Sequence, residues 1–434
     1  MFMRRPLMSL RLTNLSSRDD EFFLGKDGDK NIAFSGPGAL ITIGRPGSGK
    51  TQCHAMTNLL NWSGSVLVLD IKGELYDKTH KWREQNVGPV IRFSPFKKQT
   101  ARYNPLAFIS SQPAEAWSQG KFLAEMLIPS AEDEGNQKFW NDSAREIIGA
   151  AIAAICVNLQ PQDRSFDKVL DIVSGKGWAW LIEQLTDMSN ASGLRAAART
   201  VANFEDLRVN EPRLFTSSRT TAYVAINSWS DPNLEHAISA SDWSPHDLHG
   251  DKPLTVYITA SPQQLATQRN FFRLVIGQHI NMLMDDQFLQ DHGKDKVKRQ
   301  VLLLLDEFPT LGYMKPIEES IALGRQYGLR PWLLAQYAQQ ITKAYASDAV
   351  IQTCAVRSYM NPDFETAKQI SDEFGYINDI NGSGRRPLHE PQKIVGPDHK
   401  NTVFVFATNW KATLLSKVFA GAVDGPFSSR YGDS

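Results

Sequence analysis

Eight residues, Gly44-Arg45-Pro46-Gly47-Ser48-Gly49-Lys50-Thr51, constrain this 434-residue chain more than any other feature of it. They match G-x-x-x-x-G-K-[ST] in full. Glycines at these positions let the backbone curl so that successive N–H groups face phosphate oxygens. Lys50 then reaches the β- and γ-phosphates, and the Thr51 hydroxyl is offered to Mg²⁺. A helix starting here adds its positive end. A random chain of this length contains such a match roughly once or twice in a hundred. An apolar run, Ala39–Ile43, precedes the loop and helical spacing over Gln52–Leu60 follows, which is the context the motif needs. Gly44 to Thr51 are therefore read as the binding loop for ATP.

An ATP-hydrolysing site also needs an apolar strand that ends in acid. Val301-Leu302-Leu303-Leu304-Leu305-Asp306-Glu307 has that form. Asp306 is expected to hold Mg²⁺ through its water shell, together with Thr51, and Glu307 to orient and polarise the attacking water. The bland alternative is a buried strand whose end merely reaches solvent, and the phosphate loop weighs against it. Trp332-Leu333-Leu334-Ala335-Gln336 ends another strand in a polar residue, so Gln336 is a candidate sensor of the γ-phosphate or the water. Arg325 or Arg330, just before that strand, is a candidate arginine finger for the site of a neighbouring copy, against the reading of an ordinary surface arginine. Lys50, Glu307, Gln336 and Arg325 are the catalytic candidates.

Other apolar runs bounded by turn residues recur at Val66–Leu69, Val90–Phe93, Leu254–Thr259, Trp332–Ala335 and Val403–Ala407. They read as strands buried on both faces, and with the helical segments between them they predict an α/β fold with a doubly wound, mostly parallel sheet. Residues 112–249 differ: helical spacing, Ala-rich pieces and few strand runs predict an all-α insertion with Pro-marked edges. The expected division is an N-terminal segment at 1–37, a nucleotide-binding domain at 38–111 and 250–434, and the insertion at 112–249. The Gly-, Asn- and Arg-rich stretch Asn378–Pro397 is expected to be an exposed loop.

Lys+Arg and Asp+Glu both total 47, so the basic surplus of a whole-surface nucleic-acid binder is missing. A locally basic pore or loop remains open, and the run His292–Arg299 is weighed as a pore loop or, more favoured, a solvated loop feeding the acid-ended strand. Three cysteines without a CxxC pair predict neither disulfide framework nor zinc site. His246-x-x-His249 beside Asp242 and Asp247 reads as a surface loop rather than a metal site. The most apolar stretch, Ile147–Val157, is near half a membrane span and reads as a buried helix. Met1–Met8 reads as a frayed terminus in preference to a membrane-surface contact. Trp140 and Trp178 read as core. Asp70, Lys72 and Glu74 are balanced between helping at the nucleotide or an interface and stabilising a turn.

Taken in order, these segments resemble the TraG-like coupling-protein ATPases of conjugation and type IV secretion. Leu69-Asp70-Ile71-Lys72-Gly73-Glu74-Leu75 is similar to the family's D-x-K-G-E segment, and Arg102-Tyr103-Asn104-Pro105-Leu106 to its Y-N-P-L turn. Phe139-Trp140 with Ala144-Arg145 resembles the opening helix of its all-α domain. Leu305-Asp306-Glu307-Phe308-Pro309-Thr310-Leu311-Gly312 resembles its acidic strand and following turn, and Arg325-x-Tyr327-Gly328 with Ala335-Gln336 its next helix and sensor strand. The resemblance covers about Gly38 to Ala420. It implies a RecA-like P-loop motor with an all-α insertion, a homo-hexameric ring with ATP sites between subunits, and delivery of DNA, single-stranded and carrying its relaxase, to a secretion channel. It departs from the family in showing no N-terminal membrane anchor, so the expected location is cytoplasmic, or peripheral at the inner face of the bacterial inner membrane through a membrane-anchored docking partner. Two alternatives stay open: a ring that recruits protein effectors, and a nucleotide-controlled adaptor with little turnover, against which Glu307 and Gln336 argue.

Overall fold

The computed structural model describes residues 9–15, 21–130, 137–286, 300–378 and 385–432. Met1–Met8 and the basic run His292–Arg299 lie outside the described residues. Two compact units divide the chain, Met1–Arg92 with His246–Ser261 and Leu283–Ser434, and Phe93–Pro245 with Pro262–Met282.

The strands, in chain order, are β1 (Ser9–Leu12), β2 (Glu21–Asp27), β3 (Lys30–Ser35), β4 (Leu40–Gly44), β5 (Ser65–Ile71), β6 (Val90–Phe93), β7 (Thr255–Ala260), β8 (Val301–Leu305), β9 (Leu329–Ala335), β10 (Val356–Met360), β11 (Tyr376–Asn378), β12 (Arg385–Pro387), β13 (Thr402–Ala407) and β14 (Thr413–Ser416). Twelve of them form one sheet in the order β1-β3-β2-β14-β13-β10-β4-β9-β8-β5-β7-β6. From β10 through β7 every neighbouring pair is parallel. From β10 outward through β13, β14, β2, β3 and β1 the pairs are antiparallel. Every residue of β4, β5, β7, β8 and β9 is buried, which explains why these strands are rich in Val, Ile and Leu.

The antiparallel wing departs from the expectation. Residues read only as an N-terminal segment carry three strands, and Phe22, Phe23 and Phe34 are fully buried. Phe22 stacks on Trp62 at 4.8 Å and meets Trp332 edge-on, which carries the wing's core into the parallel sheet. β10 escapes an apolar-run search because Arg357 and Ser358 interrupt it. Arg357 is held at the sheet by Glu373 at 2.7 Å. Of the stretch Asn378–Pro397 expected to be a loop, residues 379–384 lie outside the described residues, while β12 pairs antiparallel with β11 and Pro391–Ile394 form a helical turn.

The second unit is helical among its described residues apart from the end of β6, and it is larger than 112–249 because flanking residues pack with its helices. Tyr103 is buried and its hydroxyl donates to Gln278 Oε1 at 2.8 Å; the Gln278 amide in turn donates to Pro105 O. Asn104 accepts the Leu106 N–H and donates to Arg164 O, so the Y-N-P-L segment is a packing corner. Helices Pro113–Leu127 and Gln137–Asn158 approach so closely that a Cβ on Gly120 would lie 2.6 Å from Gly149 O. Ile147 to Cys156 are buried, and Trp178 packs between Phe204 and Phe215. Among the described residues no helix is long and apolar enough to cross a membrane.

Candidate nucleotide site

Parallel strands put all their carboxyl ends at one edge, and ligands in such sheets bind there. That edge gathers the loop after β4, Asp306 and Glu307 after β8, Gln336 after β9, Asn361 after β10, and Asp70 near the end of β5. β9 lies between β4 and β8, with Ile43 opposite Ala335 and Leu305 opposite Leu333.

Gly47 and Gly49 have φ of 76° and 91°, which L side chains rarely adopt, and this is why glycine stands at both positions. Gly44 has a different reason: a Cβ there would lie 2.5 Å from Ser48 Oγ and 2.9 Å from Met360 O. The loop closes with the Ser48 N–H donating to Arg45 O at 3.0 Å. It then runs into a helix with a wide, π-type first part at Thr51–Met56 and an α-helical turn at Thr57–Leu59. Arg45, Pro46 and Gly47 are exposed, Thr51 is half-buried, and Ser48 and Lys50 are buried.

Lys50 Nζ lies 2.7 Å from Glu307 Oε1, with little of either side chain exposed. Glu307 has φ 50° and ψ 39°, a left-handed conformation unusual for a residue with a side chain. Its neighbour Asp306 is 7% exposed, and its Oδ1 has no hydrogen-bond partner. Burial, then the nearby charge of Glu307, pushes the Asp306 carboxyl up to about 7, while Lys50 pulls it back. Ser48 Oγ, on the loop, is likewise buried and unpartnered. A bound cation removes the cost of a buried, unpaired carboxylate, so this set of oxygens fits a Mg²⁺-nucleotide.

Asp70 serves the turn: its carboxylate accepts the N–H groups of Leu75 and Tyr76 at the start of helix Glu74–Asn86. Burial pushes it up to about 6. Gln336 is half-buried directly beyond β9, with its backbone N–H donating to Gln340 Oε1 at 3.3 Å. Arg325 is exposed on the turn that leads into β9. It stands at the far end of that seven-residue strand, roughly 20 Å from its own chain's loop. Arg330 is corrected: it is 2% exposed, stacked over Phe22 and bonded to Gln300 and Gly36, so it is a structural residue and not a finger. His249 is corrected too, being buried with its Nε2 at Leu283 O rather than on a surface loop. Asp242 is bound by Arg102 at 2.7 Å.

The sequence reading missed three neighbours of the loop. Asn361, at φ 46°, accepts Arg45 Nε on its carbonyl and the Lys417 ammonium on its side chain. Burial lowers Lys417 to about 8. The tip of Phe419 reaches Gly49. None carries a short motif; the Asn361-Pro362 dipeptide, a turn signal straight after an apolar strand, is the one available hint.

Fold and loop together define a P-loop α/β protein of the RecA-like type. A family model described as Type IV secretory system Conjugative DNA transfer matches residues 13–379, and the chain belongs to that family. It is 26% identical over 388 residues to the conjugal transfer protein TraG of Escherichia coli, covering 83% of this chain and 59% of TraG. It is 29% identical over 337 residues to VirD4 of Rhizobium radiobacter, covering 76% of this chain and 46% of VirD4. The chain thus spans about half the length of the curated relatives it matches. Among solved structures, the plasmid coupling protein TrwB in complex with ADP and Mg²⁺ shares the fold with a TM-score of 0.67 at 17% identity, over 88% of this chain and 85% of that one. The TrwB complex with a non-hydrolysable ATP analogue gives 0.64 at 18% identity, over 92% and 89%.

Proposed function

We propose that this chain is an ATPase that acts as a coupling protein, using ATP hydrolysis to recruit DNA with its relaxase and move it to a type IV secretion channel. The observation that carries the reading is the meeting of Lys50 and Glu307 at 2.7 Å beside the buried, unpartnered oxygens of Asp306 and Ser48. A site that only bound phosphate would have no use for Glu307, an acid set in a strained backbone at the place where water would attack. The family's conjugative role and the TrwB complexes with nucleotides support the choice of cargo and ligand.

The loop N–H groups and Lys50 hold the triphosphate and neutralise charge building on the γ-phosphate. Glu307 accepts a proton from the attacking water as oxygen bonds to the γ-phosphorus and the bond to ADP breaks, leaving ADP and phosphate. Gln336 fixes the water or a γ-oxygen. Thr51, and through water Asp306, would hold Mg²⁺, which would supply positive charge to offset that of the phosphates. Arg325 stands too far along β9 to serve its own chain's site. It therefore acts in the site of a neighbouring copy in a homo-hexamer. The chain works in the cytoplasm or against the inner membrane through a docking partner.

The test is ATP hydrolysis by the purified chain alone, with single-stranded DNA and with double-stranded DNA, read beside its mass in solution. DNA-stimulated turnover with a shift to hexamer is expected. Turnover indifferent to DNA favours a ring that handles protein effectors, and ATP binding without turnover favours the adaptor.

A further inference from the structure

A triphosphate whose γ end reaches Lys50 and Glu307 leaves its nucleoside at the other end of the loop, where Thr51 and Gln52 begin the helix. There residues 417–431 cross over the helix. The Ala420 N–H donates to Gln52 O at 3.2 Å, and the Lys417 N–H to Asn401 O at 2.9 Å. The Lys417 ammonium donates to Asn361 Oδ1 at 2.6 Å, and Val418 between them is buried. Phe419, fixed between these anchors, is nevertheless 39% exposed, whereas Phe427 further along is wholly buried. The tip of its ring, Cε1, lies 3.0 Å from the position of a Cβ on Gly49. Tyr431 bounds the same place, its hydroxyl accepting the Gln52 amide at 3.4 Å.

An apolar ring held on both sides, exposed, and touching the phosphate loop is poorly explained by packing, since nothing is gained by leaving it in water. We infer that Phe419 is the stacking surface for the base of the bound nucleotide, which rests on reading Gly44–Thr51 as a nucleotide site. The ring takes the face of a purine once the phosphates are seated. Every base has such a face, so the contact adds affinity without choosing between adenine and guanine.

The experiment is titration calorimetry of the purified chain and of F419A and F419W, with ATP, GTP and inorganic tripolyphosphate. F419A should weaken ATP and GTP alike, by roughly ten- to a hundredfold, and leave tripolyphosphate unchanged, while F419W keeps both nucleotides. Unchanged tripolyphosphate binding also shows that the variant's loop is intact. Equal loss of all three ligands, or no loss of any, overturns the stacking role alone. A wild-type chain that binds none of the three overturns the nucleotide site itself and this inference with it.

Discussion

The ammonium of Lys50 and the carboxylate of Glu307 meet at 2.7 Å, although β9 separates the strands that carry them. The contact is possible because β4, β9 and β8 are parallel and end at one edge, so the loop after the first curls over the end of the last. Lys50→Ala removes the cation that would face the phosphates and strands Glu307 without its partner. Its expected effect is a roughly ten- to hundredfold weaker ATP affinity, measured by calorimetry. Unaltered affinity would mean that the loop binds phosphate through its backbone alone.

Gly49 combines a φ of 91° with two close neighbours, Phe419 Cε1 at 3.0 Å and Cys53 Sγ at 3.2 Å from a built Cβ. Gly49→Ala should cost about 1–2 kcal/mol from backbone strain alone, read as a lower urea midpoint. Adding F419A removes the nearer of the two contacts and leaves the backbone strain and the Cys53 contact in place. The double variant should therefore recover part of the loss, and full recovery would show that the left-handed backbone carries no cost.

Arg83 is fully buried on helix Glu74–Asn86, and its guanidinium caps the end of the helix after the phosphate loop. It donates to Leu59 O, Trp62 O and Gly64 O at 2.7–2.9 Å and to Thr255 Oγ1 at 2.7 Å. These carbonyls belong to the last residue of that helix and the turn after it, and the guanidinium is what satisfies them. Arg83→Met fills similar space but leaves them bare, and about 3 kcal/mol of unfolding free energy should be lost. A loss under about 1 kcal/mol, with water taking the place of the guanidinium, would contradict this role.

His54, one turn past Lys50, is neutral by construction. The Trp332 indole N–H donates to Thr42 Oγ1, the Thr42 hydroxyl to His54 Nδ1, and His54 Nε2–H to Leu24 O. Burial pushes its pKa down from 6.5 to about 4. The unfolded chain therefore takes up the proton first, so this stabilisation is whole above about pH 6.5 and is lost as pH falls toward 4. Asp70 and Asp306, pushed up to about 6 and about 7, act in the opposite sense, which makes a difference measurement necessary. Between pH 7 and pH 5 the wild type should lose about 2 kcal/mol more stability than His54→Gln; equal losses would remove His54 as the source.

Those residues also mark what could be read in the chain beforehand. The parallel strands and the glycine loop were legible because burial on both faces forces continuous aliphatic runs, and a phosphate cradle forces particular residues at fixed spacing. β10 was not, since Arg357 sits within it and needs Glu373, sixteen residues later, to be tolerated there. The wing β1–β3 depends on pairing with β14, nearly the whole chain away. Arg83, Arg164 and Arg330 look like surface residues in sequence, because only the folded backbone brings carbonyls to each of them. Lys417 and Phe419 reach the loop by the same long-range route, which no local pattern announces.

Glu307→Gln tests the hydrolytic assignment most directly. ATP affinity and ATP turnover would be measured on the same preparation, beside the wild type. The amide keeps the shape of the side chain and its contact with Lys50 but cannot take a proton from water, so affinity should hold while turnover falls roughly 10²–10⁴-fold. Turnover equal to the wild type's would contradict the role given to Glu307 and, with it, the reading of this edge of the sheet as a hydrolytic site.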